Sequence, residues 1–233
     1  MTKKEQKQST PEVYKAVRAV GTFRPKFNPD GGGRIFADEL NVIGTAFWLK
    51  NEKVLITCAH VVQNLLGPLE IAGLLVVGNS GNYRRATISQ IDLAHDLAVL
   101  TLVNNTGQPI AGEELDKEAE QGLEIIDTYP SVSTPIAYAG FPRGNQLLNQ
   151  LHSPTYSEGV IGVEKKDGSL RKEIQISGPV TGGFSGSPVV LKEDSTKVVG
   201  IVSNGPTSNN QDGNIFNAVS FEHIKAIACL ARS

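Results

Sequence analysis

Residues 181–190 read TGGFSGSPVV, which places Ser185 in a glycine-rich turn that runs directly into an apolar strand. Glycines let the backbone bend so that successive N–H groups point into one concavity. Such N–H groups can stabilise negative charge that develops on a carbonyl oxygen. With 24 Gly and 12 Pro in 233 residues, the pattern G-x-S-G-[G/S]-P arises by chance in about one or two such chains in a thousand. An ordinary β-turn is the alternative interpretation.

Two further patterns lie earlier in the chain. In LITCAHVV, residues 55–62, an apolar strand ends just before His60, and in HDLAVL, residues 95–100, Asp96 precedes another apolar strand. Each pattern alone is more typical of a structural histidine or a solvated strand start. Together the three patterns follow the order His, Asp, Ser, which is the order of the chymotrypsin arrangement and not of subtilisin or the α/β-hydrolases.

Short apolar runs separated by Gly, Asn and Pro occupy most of the chain. We predict strands at residues 42–49, 54–58, 71–77, 86–92 and 97–102, and again at 135–140, 159–163, 173–177, 189–191, 198–202 and 218–219. Many short strands at this spacing indicate a sandwich or a barrel, and the similar strand counts of the two halves fit two packed β-barrels. Strand spacing also begins at residues 13–23, whereas residues 24–33 have the composition of a loop. The closing FEHIKAIACLAR predicts an amphipathic helix.

The composition restricts the class of protein. Lys and Arg total 22 against 24 Asp and Glu, which gives a net charge of −2. The chain therefore lacks the excess of basic residues with which nucleic-acid-binding proteins bind phosphates. No stretch approaches the roughly 18 apolar residues of a membrane span, and no apolar segment follows the basic start as in a secretory signal. We therefore expect a cytoplasmic protein with no nucleic-acid and no membrane partner.

Cys58 and Cys229 are the only cysteines. They form no CxxC pair, and two thiols cannot make a four-ligand zinc site without other ligands. Two reduced thiols are the simpler interpretation, and a single disulfide between them is the alternative. We expect that the protein uses no metal and no cofactor.

An ordered set of motifs carries a resemblance to a known family. GTAFWL, LITCAHVV, HDLAVL, TPIAYAGFPRG, EGVIGV, GGFSGSPVV and VVGIVSNG follow one another along the chain. With these motifs the chain resembles the chymotrypsin-fold serine proteases over residues 42–232. It is most similar to the protease domain of the HtrA/Deg branch and to bacterial trypsin-like peptidases.

The resemblance implies an all-β fold of two packed six-stranded antiparallel β-barrels with a C-terminal α-helix. The expected organisation is a disordered N-terminus at 1–10, an N-terminal barrel with His60 and Asp96 at 11–104, a linker at 105–130, a C-terminal barrel with Ser185 at 131–220 and the helix at 221–233.

The resemblance also implies a role for each matched residue. Ser185 would attack the scissile carbonyl, His60 would take its proton and return it to the leaving amine, and Asp96 would orient His60. The backbone N–H groups of Gly183 and Ser185 would form the oxyanion hole. Phe184 stands where relatives often carry Asn or Asp, and we expect it to alter the wall of the cleft.

Substrate specificity in this fold depends on residues shortly before the serine and on a later strand. The predicted substrate-binding residues are Pro179, Val180, Thr181, Val202, Ser203, Asn204 and Gly205. None is acidic, and an apolar pocket offers no partner to a buried cation. We therefore predict cleavage after small or medium apolar residues.

The leading hypothesis is a serine endopeptidase that acts on a protein or peptide substrate through an acyl-enzyme. A catalytically silent double barrel that serves as a binding module is one alternative, and an esterase with the same triad is another. The sequence also leaves open whether the protein has a regulatory partner or a target encoded in the same operon.

Overall fold

The computed structural model describes residues 11–27, 35–65, 74–79, 82–142, 153–166, 172–203 and 215–231. The predicted disordered segment at residues 1–10 and the predicted pocket residues Asn204 and Gly205 lie outside these ranges. No helix among the described residues has the length and apolar character that crossing a membrane requires.

The first half of the chain forms a closed β-barrel. After a short helix α1 (Glu12–Ala16), its strands are β1 (Val17–Phe27), β2 (Ile35–Leu49), β3 (Val54–Thr57), β4 (Leu74–Asn79), β5 (Asn82–Asp92) and β6 (Leu97–Leu102). They pair in the order β1-β2-β3-β6-β5-β4, and the β4–β1 pairing closes the ring. A one-turn helix α2 (Ala59–Val62), followed by a 3₁₀ turn (Gln63–Leu65), comes directly after β3.

The second half forms another closed ring of six antiparallel strands. Its elements are β7 (Glu124–Ile125), β8 (Pro135–Gly140), β9 (Thr155–Lys166), β10 (Lys172–Ser177), β11 (Pro188–Leu191), β12 (Lys197–Ser203) and β13 (Ile215–Ser220). The order β11-β8-β9-β10-β13-β12 closes through β11–β12, while the short β7 adds to β12 in parallel. The prediction of two six-stranded antiparallel barrels is confirmed.

One buried hydrophobic cluster connects the first barrel, the C-terminal helix and part of the second barrel, and a separate cluster fills the second barrel. The helix (Phe221–Leu230), here α4, buries Phe221, Ile224, Ile227 and Ala228 on one face, as its helical spacing predicts. The larger buried cluster contains these last three together with residues of both barrels, such as Leu97 of β6. The helix therefore holds the two barrels in a fixed relation, and the site lies where they meet.

Two expectations about the start of the chain are wrong. Residues 12–16 form the helix α1 and not a strand, because Val13 and Ala16 are both buried at a helical spacing of three. Arg24 to Phe27 continue β1, because they pair with residues 35–37 of β2 across a long hairpin. Pro25 is accommodated next to a shift in the strand register, where a proline costs little pairing.

The predicted linker at 105–130 contains regular structure that contacts both barrels. It includes the helix α3 (Glu113–Ala119) and the strand β7. The N–H of Leu123 donates to the Trp48 carbonyl at 2.8 Å, and the N–H of Glu124 donates to the Thr196 carbonyl at 2.9 Å. Lys53 Nζ lies 2.7 Å from Asp116 Oδ1. These contacts fix the connection on the surface of the molecule.

Candidate active site

The end of β3 and the start of β6 bring His60 next to Asp96. These strands pair side by side, with Thr57 opposite Ala98, so the residues that flank them lie at the same edge of the first barrel. Asp96 has φ +56°, a left-handed conformation that non-glycine residues seldom adopt. A strained backbone of this kind is retained where the surrounding contacts require one orientation of the side chain.

The Asp96 carboxylate accepts two kinds of hydrogen bond from His60. Its Oδ1 accepts the His60 backbone N–H at 2.9 Å, and His60 Nδ1 lies 2.8 Å from Oδ2. The N–H of Ala59 also donates to the Asp96 carbonyl at 3.1 Å. Because an ionised carboxylate can only accept, Nδ1 carries the ring proton, and Nε2 of the neutral imidazole is left as the acceptor.

A second donor to the same carboxylate comes from the other barrel. The hydroxyl of Ser203, at the end of β12, donates to Asp96 Oδ2 at 2.5 Å, and Ser203 is only 1% exposed. Burial by itself raises the pKa of Asp96, but the hydrogen bonds from His60 and Ser203 outweigh it and hold that pKa below its usual range. Asp96 is therefore ionised at neutral pH, as a partner for a protonated imidazole must be.

The segment that carries Ser185 consists of two successive β-turns. The N–H of Phe184 donates to the Thr181 carbonyl, and that of Ser187 donates to the Phe184 carbonyl. Each turn has a glycine with positive φ at its third position, Gly183 at +97° and Gly186 at +88°, as type II turns require.

The backbone N–H groups in this segment fall into two sets, those with an acceptor and those without one. Those of Phe184, Gly186 and Ser187 all donate to carbonyl oxygens. Those of Gly183 and Ser185 have no acceptor in the part of the chain that the structure describes. The resemblance assigns these two N–H groups to the oxyanion hole, and the neighbouring N–H of Gly182 likewise has no acceptor among the described residues.

Thr45 of β2 fastens the Ser185 segment to the first barrel. Its N–H donates to the Ser185 carbonyl at 2.9 Å, and its hydroxyl donates to the Gly183 carbonyl at 2.8 Å. The Thr45 hydroxyl in turn accepts the N–H of Phe141 at 3.0 Å. Sequence reasoning missed Thr45, although it lies in the quoted motif GTAFWL.

The hydrogen bonds among the described residues include none between Ser185 Oγ and His60. Their segments do lie side by side at Gly44, where an added Cβ would be 3.1 Å from the Ser185 carbonyl oxygen and 2.7 Å from Val61 Cγ1, next to His60. Bonds between a nucleophile and its base are often long before substrate binds and shorten in the complex. The structure thus joins His60 to Asp96 directly and places Ser185 on the facing barrel.

The residues predicted to bind substrate differ in burial and in hydrogen bonding. Val180 and Val202 are buried, whereas Pro179 and Thr181 are exposed. The Pro179 carbonyl accepts the Tyr138 hydroxyl at 2.7 Å. Both backbone groups of Val202 are used, because its carbonyl accepts from Gly186 and its N–H donates to the Ser187 carbonyl.

Phe184 does not form part of a cleft wall, so that expectation is wrong. It is buried and packs edge-on against Tyr138, with the ring centroids 5.5 Å apart. Phe184 belongs to the buried cluster of the second barrel, where an apolar ring is stabilised by its removal from water.

Cys58, His60 and Asp96 have ligand atoms within 4.8 Å of one another. Two observations weigh against a resident metal at this cluster. His60 Nδ1 and the Asp96 carboxylate are already bonded to each other, and the buried Cys58 thiol donates to the Val202 carbonyl at 3.2 Å. Burial, with the nearby Asp96 charge, raises the pKa of Cys58 well above its usual range. Both cysteines are free thiols, so the disulfide alternative is wrong.

The second turn tolerates no side chain at Gly186. A Cβ there would overlap the Thr45 carbonyl oxygen and lie 2.6 Å from Thr57 Oγ1, and the positive φ adds backbone strain. We expect Gly186→Ala to lower the free energy of unfolding by about 3 kcal/mol. Urea denaturation measures the change.

Gly182 provides the matched control in the same segment. A Cβ at Gly182 meets no atom within 4 Å. Gly182→Ala should therefore unfold at the same urea concentration as the wild type. Equal stability of the wild type and Gly186→Ala would show that the turn is not held as described.

The chain matches a known protein family and the fold of solved structures. A family model described as a trypsin-like peptidase domain matches residues 44–201. Among curated proteins no sequence match is found. Two solved structures of Rv3671c from M. tuberculosis share this fold.

The first of these structures is the inactive form of a serine-to-alanine mutant. Its TM-score is 0.60 at 15% identity, and the match covers 100% of this chain and 95% of that one. The second is the active form of the protease, with a TM-score of 0.58 at 17% identity over 93% of this chain and 81% of that one. At 15% and 17% identity, this similarity shows a shared fold and nothing beyond it.

Proposed function

This chain belongs to the family of trypsin-like peptidase domains, and we propose that it is a serine endopeptidase with the triad Ser185, His60 and Asp96. The observation that carries the proposal is the His60–Asp96 pair, which leaves Nε2 as a base at the junction of the barrels. The Ser185 turn lies on the facing barrel, and the N–H groups of Gly183 and Ser185 have no acceptor among the described residues. Family membership supports the hydrolase activity, and this geometry supports the assignment of roles.

The reaction would begin when Ser185 Oγ attacks the carbonyl carbon of the scissile peptide. His60 Nε2 takes the hydroxyl proton as the new C–O bond forms, and the carbonyl oxygen becomes an oxyanion. The imidazolium then gives that proton to the departing amine as the C–N bond breaks, which leaves an acyl-enzyme. Water attacks the ester carbonyl as His60 takes its proton, and His60 then gives that proton to Ser185 Oγ as the ester C–O bond breaks, which releases the acid product and restores Ser185.

Two features of the site would stabilise the charges that form in these steps. The N–H groups of Gly183 and Ser185 can donate to the oxyanion, and one such donor is typically worth about 3–4 kcal/mol of barrier. The ionised Asp96 stabilises the positive charge on His60. Ser203 holds Asp96 in place, because its hydroxyl binds Oδ2 from the second barrel.

We propose that cleavage follows small or medium apolar residues. The predicted pocket segment before Ser185 contains Pro179, Val180 and Thr181 and no carboxylate. A substrate Lys or Arg would lose its hydration there without gaining a partner. A peptide library should be cleaved after Ala or Val at least about 100-fold faster than after Lys or Arg.

The library is read by sequencing the N-termini of the products. A profile dominated by Lys or Arg would overturn the specificity proposal and leave the hydrolase proposal in place.

Ester substrates tested beside the peptides separate a peptidase from an esterase. Absence of turnover on both, with no labelling by a fluorophosphonate probe, would favour a silent binding module.

A further inference from the structure

The hydroxyl of Thr45 lies where three segments of the chain meet. It belongs to β2 of the first barrel, donates to the Gly183 carbonyl at 2.8 Å, and accepts the N–H of Phe141, just after β8, at 3.0 Å. A carbonyl oxygen can only accept and an N–H can only donate, so the single hydroxyl proton must point to Gly183. Both hydrogen bonds of this hydroxyl therefore have a fixed direction.

The carbonyl that Thr45 binds belongs to the peptide group between Gly183 and Phe184. This planar group lies between the two peptide groups that carry the proposed oxyanion donors, the N–H groups of Gly183 and Ser185. Its own N–H, on Phe184, donates to the Thr181 carbonyl at 3.2 Å. The central peptide group is thus held at both ends, which restricts the directions of the N–H groups on either side of it.

The sequence of the turn provides little restraint of its own. Gly182 and Gly183 are consecutive glycines, and glycine adopts positive and negative φ about equally readily. A Cβ added at Gly182 would meet no atom within 4 Å, so packing does not fix the backbone at that residue either. The conformation with Gly183 at φ +97° therefore depends on hydrogen bonds to the turn, one of which comes from the Thr45 hydroxyl.

Solvent does not reach the Thr45 hydroxyl. Thr45 is 0% exposed, and a Cβ added at Gly140 would lie only 2.8 Å from its Oγ1. A side chain of the same shape without the hydroxyl would leave the Gly183 carbonyl and the Phe141 N–H without this partner, and would leave no room for a water molecule in its place. Because unpaired buried polar groups are unfavourable, the turn would then move away from its present conformation.

We propose that Thr45 is a positioning residue for the oxyanion hole. Through the Gly183 carbonyl, its hydroxyl keeps the N–H groups of Gly183 and Ser185 directed at the oxyanion. This inference rests on the proposed peptidase function, and it adds a side chain of the first barrel to a hole formed by the second. Donors that are oriented in advance act on charge that forms only in the transition state. The Thr45 hydroxyl should therefore affect kcat and leave KM nearly unchanged.

Thr45→Val removes the hydroxyl and keeps the shape of the side chain. On a peptide substrate from the library, kcat should fall about 30-fold, less than the roughly 100-fold to 1000-fold that loss of a whole donor costs. KM should stay within about threefold of the wild type, because the donors act on the transition state. Thr45→Ser keeps the hydroxyl and should retain kcat within about threefold. Thr45→Ala takes the place of Thr45→Val if that variant does not fold.

A peptidyl trifluoromethyl ketone gives a measurement that lost stability alone would not change. Ser185 Oγ adds to the ketone carbon, His60 takes the hydroxyl proton, and the electron pair of the C=O bond moves to the oxygen as an oxyanion. The inhibition constant of the ketone should rise about 30-fold in Thr45→Val, in parallel with the fall in kcat. The inhibition constant of the corresponding alcohol, which forms no oxyanion, should stay within about threefold.

Ser220→Ala is the matched control for stability. The Ser220 hydroxyl is also fully buried and also has two partners, since it lies 2.8 Å from the Tyr129 hydroxyl and accepts the N–H of Glu222 at 3.4 Å. Neither partner belongs to the Ser185 turn or to the triad. Urea denaturation should show a loss of stability comparable to that of Thr45→Val. The kcat of the control and its inhibition constant for the ketone should stay within about threefold of the wild type.

Two results would overturn the proposal. One is an equal inhibition constant of the ketone for the wild type and Thr45→Val. The other is a loss of kcat in Thr45→Ser as large as in Thr45→Val, since the hydroxyl would then not be the group that matters. Either result in an active wild type leaves the peptidase proposal in place. A wild type that neither cleaves peptides nor binds the ketone would overturn the peptidase proposal and this one with it.

Discussion

Replacing Ser185 with alanine is expected to lower kcat on a peptide substrate by roughly 10⁶ and to abolish labelling by a fluorophosphonate probe. The variant lacks the oxygen that would form the acyl-enzyme, so the imidazole of His60 has no nucleophile to activate. The oxyanion donors remain, because they belong to the backbone of Gly183 and of residue 185 itself. The residual rate is then due to binding and to these donors alone.

Ser187→Ala is the matched control for this experiment. Ser187 lies in the same segment, and its buried hydroxyl has no hydrogen-bond partner among the described residues. Removing that hydroxyl leaves no other group unpaired, so the labelling and kcat should stay within a few-fold of the wild type. Labelling of Ser185→Ala, or its loss in Ser187→Ala alone, would contradict the assignment of the nucleophile.

Replacing Asp96 with asparagine should lower kcat by roughly 10⁴ at neutral pH. Asparagine tolerates the positive φ of this position about as well as aspartate, so the backbone should keep its shape. Its amide NH₂ fits best at the position of Oδ2, because the Ser203 hydroxyl can rotate to accept from it. The same NH₂ then donates to His60 Nδ1, the ring proton moves to Nε2, and His60 can no longer act as a base.

Asp92→Asn is the matched control, because Asp92 forms a second Asp–His pair outside the site. His95 Nδ1 lies 2.5 Å from Asp92 Oδ2, and the His95 ring stacks on His223 with centroids 4.0 Å apart. Asp92→Asn should keep its kcat within a few-fold of the wild type. A comparable loss in both variants would show that Asp–His pairing in general, and not this pair, supports the activity.

Asp96→Asn should also change how stability depends on pH. Because the pKa of Asp96 is lowered in the folded protein, its ionised form contributes stability above the ordinary aspartate pKa. That contribution is lost as the pH falls through the lowered value. Urea denaturation of Asp96→Asn should therefore show a smaller loss of stability on acidification than the wild type. An unchanged pH dependence would contradict the role of the His60 and Ser203 hydrogen bonds.

Much of the fold could be predicted because the signals are local. Strand-length apolar runs such as residues 97–102 and 135–140 coincide with β6 and β8, since burial on a barrel needs only a short apolar segment. The extension of β1 through Pro25 was not predictable in this way. It depends on pairing with residues 35–37, and backbone pairing leaves little trace in composition.

The sequence by itself determined which residue types stand at strand ends and in the glycine-rich turn, and therefore the candidates His60, Asp96 and Ser185. Only the tertiary structure decided what these residues contact. The Ser203 hydroxyl reaches Asp96 across 107 positions, Thr45 holds the Ser185 turn across the barrel junction, and Phe184 turns into the core. The physical reason is that a hydrogen bond or a packed ring requires a partner at a few ångströms, and only the closure of both barrels brings such distant residues that close.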